Sequence, residues 1–196
     1  MRERQERGQS MLELALVLPF LILLLVGTVE AGFALRDYLM TQSANREGVR
    51  FAVRTPPGEE YRDHFREEVV PEVFSRVLSA AEEGGLRPES IGVIVSYIYV
   101  DEDDDPAFEQ FFFGVTHNSR VDVATLADEN ADRAAQINAV REANNMEPLP
   151  NELVVVEVFY DHHSLWFYDF IGPLGGPWTM YTQSSMRLVG TGRTSE

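Results

Sequence analysis

The chain has 196 residues, with 16 Lys and Arg against 32 Asp and Glu and a formal net charge of −16. That excess of acid disfavours nucleic acid and anionic lipid as partners of the bulk of the chain, and the length suffices for one domain, a membrane segment and an insertion. There is no cysteine, which excludes disulfides, thiolate metal sites and cysteine nucleophiles.

The first seven residues, MRERQER, carry three Arg and two Glu, and residues 14–29 then carry no charge. As a helix those sixteen residues span about 24 Å, short of a hydrocarbon core of roughly 30 Å. If Glu13 is neutral or paired, residues 11–29 reach about 28 Å by the same rise. The basic start then stays cytoplasmic and the acidic remainder is exported, a single-pass topology. One alternative is a secretory signal peptide cut after Ala31, leaving a mature chain from Gly32. Its apolar stretch is longer than an ordinary signal core, and helical patterning runs straight through the cut, in ALRDYLMTQSANREGVRFAV from Ala34.

A carboxylate at Glu13 is costly in lipid, by several kcal/mol, so it must protonate, find a cation or snorkel to the interface. Pro19 lacks an amide hydrogen and crowds the Ala15 carbonyl, which predicts a bend or loosened turn. Gly27 and Ala31 form a small-xxx-small pair that permits close helix packing. Glu30, Arg36 and Asp37 read as solvated residues at the far interface.

TPPG, ending at Gly58, breaks the helix. From residue 59 to 83, Tyr61, Phe65, Val69, Val73, Val77 and Ala81 recur every fourth position, predicting one amphipathic helix or two joined at Pro71. Gly84 and Gly85 stop it. IGVIVSYIYV (91–100) reads as a strand covered on both faces, and ELVVVEVFY (152–160) as a second with Glu157 outward. TMYTQSSMRLV (179–189) reads as a third, set apart by the loop GPLGGP. The fold class expected is α+β: a long N-terminal helix packed on a small antiparallel sheet.

Between the first two strands lie about fifty residues, 101–151, containing DEDDDP, FFFG and a weak helix over 128–144. A structureless loop of that length is unusual, so this insertion should pack or bind something. Residues 101–105 lack the Gly and Glu that a calcium loop needs and read as a solvated acidic turn. Asp161, His162 and His163 read as polar residues beyond a strand rather than a metal site, because neighbouring strand residues face opposite ways. Phe111, Phe112 and Phe113 are expected chiefly in the core, the alternative being a patch for a partner. No catalytic, metal or cofactor motif stands in a convincing context, and no enzyme activity is expected.

The spacing G-QSML-E resembles the class III signal of type IV prepilins and pseudopilins. RGQSMLELALVLPFLILLLVGTVEAGFAL, followed by SANREGVRFAV, resembles the TadE-like family of Tad pilus assembly proteins. The matching positions are Arg7, Gly8, Gln9, Glu13, Leu18, Pro19, Gly27, Glu30, Gly32 and 44–50. The resemblance implies a leader (1–8) removed by prepilin peptidase between Gly8 and Gln9, an anchor helix (9–54) and an exported domain (55–196). It implies that Glu13 pairs with the free α-amino group of a neighbouring subunit. The implied partners are other pilins and pseudopilins, the peptidase and the inner-membrane pilus assembly platform. The family usually has a short connection where this chain has its insertion. A reading from another class is a single-pass or secreted ligand-binding domain.

Overall fold

A computed structural model describes residues 2–54, 58, 61–101, 105–149, 151–164 and 177–188, with residues 2–10 described by their backbone alone. The elements are α1 (Arg2–Ala52), α2 (Arg62–His64), a π-helical turn (Phe65–Val69), α3 (Val70–Glu83), β1 (Ile91–Val100), β2 (Pro106–Gly114), α4 (Val123–Ala143), β3 (Leu153–His162) and β4 (Trp178–Arg187). Two compact units result: Met1–Asp37 with His162–Trp178, and Tyr38–Asp161 with Thr179–Glu196.

The second unit is built on a four-stranded antiparallel sheet in the order β2-β1-β3-β4. Val95 of β1 stands opposite Phe111 on one side and Val156 on the other. One face carries Val93, Val95, Tyr97, Val154, Val156 and Val158 into a core shared with Ala44 and Val49 of α1 and Val73 and Val77 of α3. Phe65 stacks on Tyr97 there, with ring centroids 4.4 Å apart.

The four-residue repeat between Phe65 and Ala81 has a physical resolution. On a regular α-helix such a repeat drifts by about 40° per step. Here Val70 N–H bonds to the Phe65 carbonyl, an i→i+5 link, and Pro71 has no N–H to compete for the Glu67 carbonyl. The wider π turn offsets the drift, so Phe65, Val69, Val73, Val77 and Ala81 are all buried. Gly85, at φ +79°, then ends α3, with Leu86 N–H reaching the Ala81 carbonyl at 2.9 Å. Of the TPPG breaker after α1, only Gly58 lies among the described residues; the GPLGGP loop, except Pro177, lies outside them.

The insertion corrects several expectations. It contributes a fourth strand, β2, where three were expected, and FFFG lies on it. Residues 102–104 lie outside the described residues, but Asp101 N–H bonds the Asp105 carbonyl and Asp105 N–H bonds Asp101 Oδ1, at 3.0 and 2.9 Å. These two bonds join the end of β1 to the start of β2. The expected helix is longer at its start, because Asp122 caps it by accepting from Thr125 N–H at 3.2 Å and from Thr125 Oγ1 at 2.9 Å.

Val123 and Ala127 of α4 cover the second face at Ile98, Leu153 and Val155. Glu157 on that face is consequently not outward: it is fully buried. Its carboxylate accepts from Ser119 Oγ at 2.5 Å, Arg120 N–H at 2.9 Å and Tyr181 OH at 2.9 Å. The FFF run splits. Phe111 packs on the core and Phe113 stacks on Phe74 at 5.3 Å, whereas Phe112 is 60% exposed.

Candidate functional site: the apolar helix and its acid-histidine end

Met11–Ala52 forms a helix long and apolar enough to cross a membrane, with a mean hydropathy of 2.5 in its most apolar window, and none of that window is buried. It is the one such helix among the described residues. Its large side chains, from Met11 through Phe20 to Leu25, all stand exposed. Gly8 and Gln9 lie in its first turns, and Glu13 lies on its exposed surface. Pro19 lies inside the helix. At Gly27 an added Cβ would meet nothing within 4 Å, and Ala31 is exposed, so this small-residue pair faces open space.

Glu30 and Asp37 are not solvated, contrary to expectation. They are 5% and 9% exposed and share one face of α1, seven residues apart. Between them stands His162, 4% exposed, brought there because β3 continues two residues past its expected end. His162 Nδ1 lies 2.9 Å from Asp37 Oδ2, and Nε2 lies 3.8 Å from Glu30 Oε1. Each ring nitrogen thus faces a carboxylate, and Arg36, half exposed, adds a contact to Asp37 at 3.6 Å. Two buried acids are tolerable only with cationic or donor partners, and for Asp37 that partner is His162 Nδ1. The arrangement ties a strand end to a helix face. Among the described residues no group of three or more His, Asp or Glu has metal-holding geometry.

Further along α1, in the second unit, the segment 44–50 divides cleanly. Ala44, Asn45, Gly48 and Val49 are buried, while Arg46 and Arg50 are exposed. Asn45 Nδ2 donates to the Val156 carbonyl at 3.0 Å and the Thr182 carbonyl at 2.9 Å, stitching the helix to two strands. Gly48 is required by closeness: a Cβ there would lie 2.5 Å from Val77 Cγ2. The sequence signal for Asn45 was its place on the same helix face as Ala44, Gly48 and Val49. The signal for His162 was absent without the strand's true end.

Two carboxylates near the sheet are driven in opposite directions. Hydrogen bonding to the Arg66 guanidinium holds Glu109 below the usual carboxylate range. Burial pushes Glu152 above it, against hydrogen bonds from Tyr97 and Gly58 N–H. Burial likewise raises the Tyr97 and Tyr181 hydroxyls, so both stay protonated donors.

No significant match to the chain was found among curated proteins or among solved structures. Residues 8–50, the stretch holding Glu13, Pro19, Glu30 and the Asn45–Gly48 docking face, match the family model described as TadE-like protein, the family that the sequence resembles.

Proposed function

We propose that the chain is a membrane-anchored pseudopilin acting in assembly of a Tad-type pilus, with its N-terminus cytoplasmic and its sheet domain exported. The observation that carries the reading is the TadE-like match beginning at Gly8, on a helix whose apolar side chains are exposed. Prepilin peptidase cuts between Gly8 and Gln9 and frees an α-amino group. Glu13, five residues on, then meets the amino terminus of a neighbouring subunit, which offsets the several kcal/mol that a lone carboxylate costs in lipid. Pro19 supplies a weakened turn, and Gly27 with Ala31 supplies a surface for close helix approach. The partners are other pilins and pseudopilins, the peptidase and the inner-membrane platform.

Sequencing the amino terminus of the protein extracted from membranes tests this reading. A chain starting at Gln9 is expected; a start at Gly32 or an intact Met1 overturns it. Glu13→Ala is expected to leave cleavage intact and abolish incorporation into the filament, and normal piliation in that variant removes the docking role.

A further inference from the structure

The sheet has an outer strand, β2, that lacks the usual protection of an edge. Exposed edges are ordinarily blunted by charge, bulges or covering loops, since a bare strand invites pairing. Here PAFEQFFFG has one charge, Glu109, and the Arg66 guanidinium binds it in a paired geometry. The other devices are confined to Pro106 at the first position. Phe108, Phe112 and Phe113 are 42%, 60% and 43% exposed.

The hydrogen-bond phase of β2 is fixed by its ends. Val115 N–H bonds the Ile91 carbonyl, and Asp101 N–H bonds the Asp105 carbonyl. Odd-numbered residues of the strand therefore face β1, and Phe108, Gln110 and Phe112 turn their N–H and C=O outward. Among the described residues no backbone hydrogen bond reaches that outer side.

We propose that this edge is an interaction surface for a second copy of the chain, whose β4 it takes up head to tail. Two observations select that occupant. The strand order β2-β1-β3-β4 in an antiparallel sheet makes the two edges run in opposite directions, so copies in one orientation meet as antiparallel strands. A symmetric β2–β2 contact is the competing arrangement, and cross-linking separates the two. The faces also agree in the fully overlapped register, with Gln110 opposite Gln183. Phe112 then stands opposite Tyr181 on the α4 side, and Phe113 opposite Met180 on the core side, where Met180 already packs. Aromatic cross-strand pairs of this kind favour association. One strand pair is smaller than the roughly 1,000 Å² expected of a stable interface, so the contact operates where copies are concentrated by confinement. Head-to-tail contacts of this kind do not close, and they generate rows rather than dimers.

The chain has no cysteine, which permits a direct test on the full-length protein in its membrane. Gln110→Cys and Gln183→Cys are made singly, and a short bis-maleimide is applied to each alone and to the two co-expressed. Cross-linked dimer is expected from the co-expressed pair, at least tenfold above either variant alone. Adding Phe112→Glu, at an exposed position, is expected to reduce that yield at least fivefold while leaving the circular dichroism of the protein unchanged. Equal cross-linking by Gln110→Cys alone, or none from the pair, overturns the proposal. Neither result bears on the amino terminus, so the anchoring reading stands or falls separately.

Discussion

The two ends of α1 use one helix for opposite purposes. Between residues 11 and 29 the helix presents Leu, Ile, Phe and Val side chains that are half to three-quarters exposed, around a surface that Gly27 leaves open. Between residues 41 and 52 its buried side chains are small or polar: Thr41, Ala44, Asn45, Val49 and Ala52. Large exposed side chains suit a surface whose partner is supplied from outside the fold, since they gain about 1.5–3 kcal/mol each only when covered. Small buried ones suit a surface whose partner is already in place, because closeness and hydrogen bonds then set the energy. The lesson is that apolar content alone does not distinguish the two halves; side-chain size and the presence of a buried amide do.

The sharpest way to break this comparison is Asn45→Leu. It conserves approximate size and raises hydropathy, which is harmless if the docked half behaves as a generic apolar face. Two strand carbonyls, of Val156 and Thr182, lose their side-chain donor, at about 1–3 kcal/mol for each acceptor left unpaired. Chemical unfolding of the full-length protein in detergent, followed by circular dichroism, is expected to show a loss of about 2–6 kcal/mol. An unchanged midpoint would mean that the amide carries no part of the docking.

Leu23→Arg probes the other half. Leu23 is 64% exposed, so the sheet domain is expected to unfold as before. Insertion is expected to weaken by about 2.5–3.5 kcal/mol for a charge near a helix centre, read as release of the protein from membranes by alkaline carbonate. Loss of sheet stability in this variant, with membrane retention intact, would reverse the assignment of the two halves.

The contrast between the halves also explains what could be read from the residues. Long periodic or alternating runs were legible: the long apolar helix, β1 with both faces covered, the stop at Gly84 and Gly85, and the placement of Val154, Val156 and Val158 toward the core. β2 was not, because an edge strand with Phe at 108, 111, 112 and 113 shows no alternation and begins with Pro after an acidic run. Missing β2 and the true start of α4 left the second sheet face without a cover, which is why Glu157 seemed outward. Glu30, Asp37 and His162 failed for a related reason. Their burial depends on a meeting of residues 125 positions apart, and no local pattern records it.

The smallest expected effect concerns pH and again separates the halves. Residues 14–29 hold no ionisable group, so membrane retention through them is expected to be flat between pH 4 and 8, a range spanning the ordinary carboxylate value of about 4.3. The sheet domain holds two carboxylates of opposite behaviour. Glu109, held down chiefly by its hydrogen bonds to Arg66, contributes stability present above the ordinary carboxylate range and lost as pH falls through its lowered value. Glu152, pushed up by burial, works the other way: its contribution is present in acid and lost as pH rises through its raised value. Glu152→Gln keeps an acceptor for Gly58 N–H and cannot ionise, so the variant is expected to lose less stability than the wild type on going from acid to neutral pH. Thermal melts of both proteins across that range measure the difference. A wild-type curve that already rises monotonically, with the variant parallel to it, would show that the Gly58 and Tyr97 hydrogen bonds outweigh burial at Glu152.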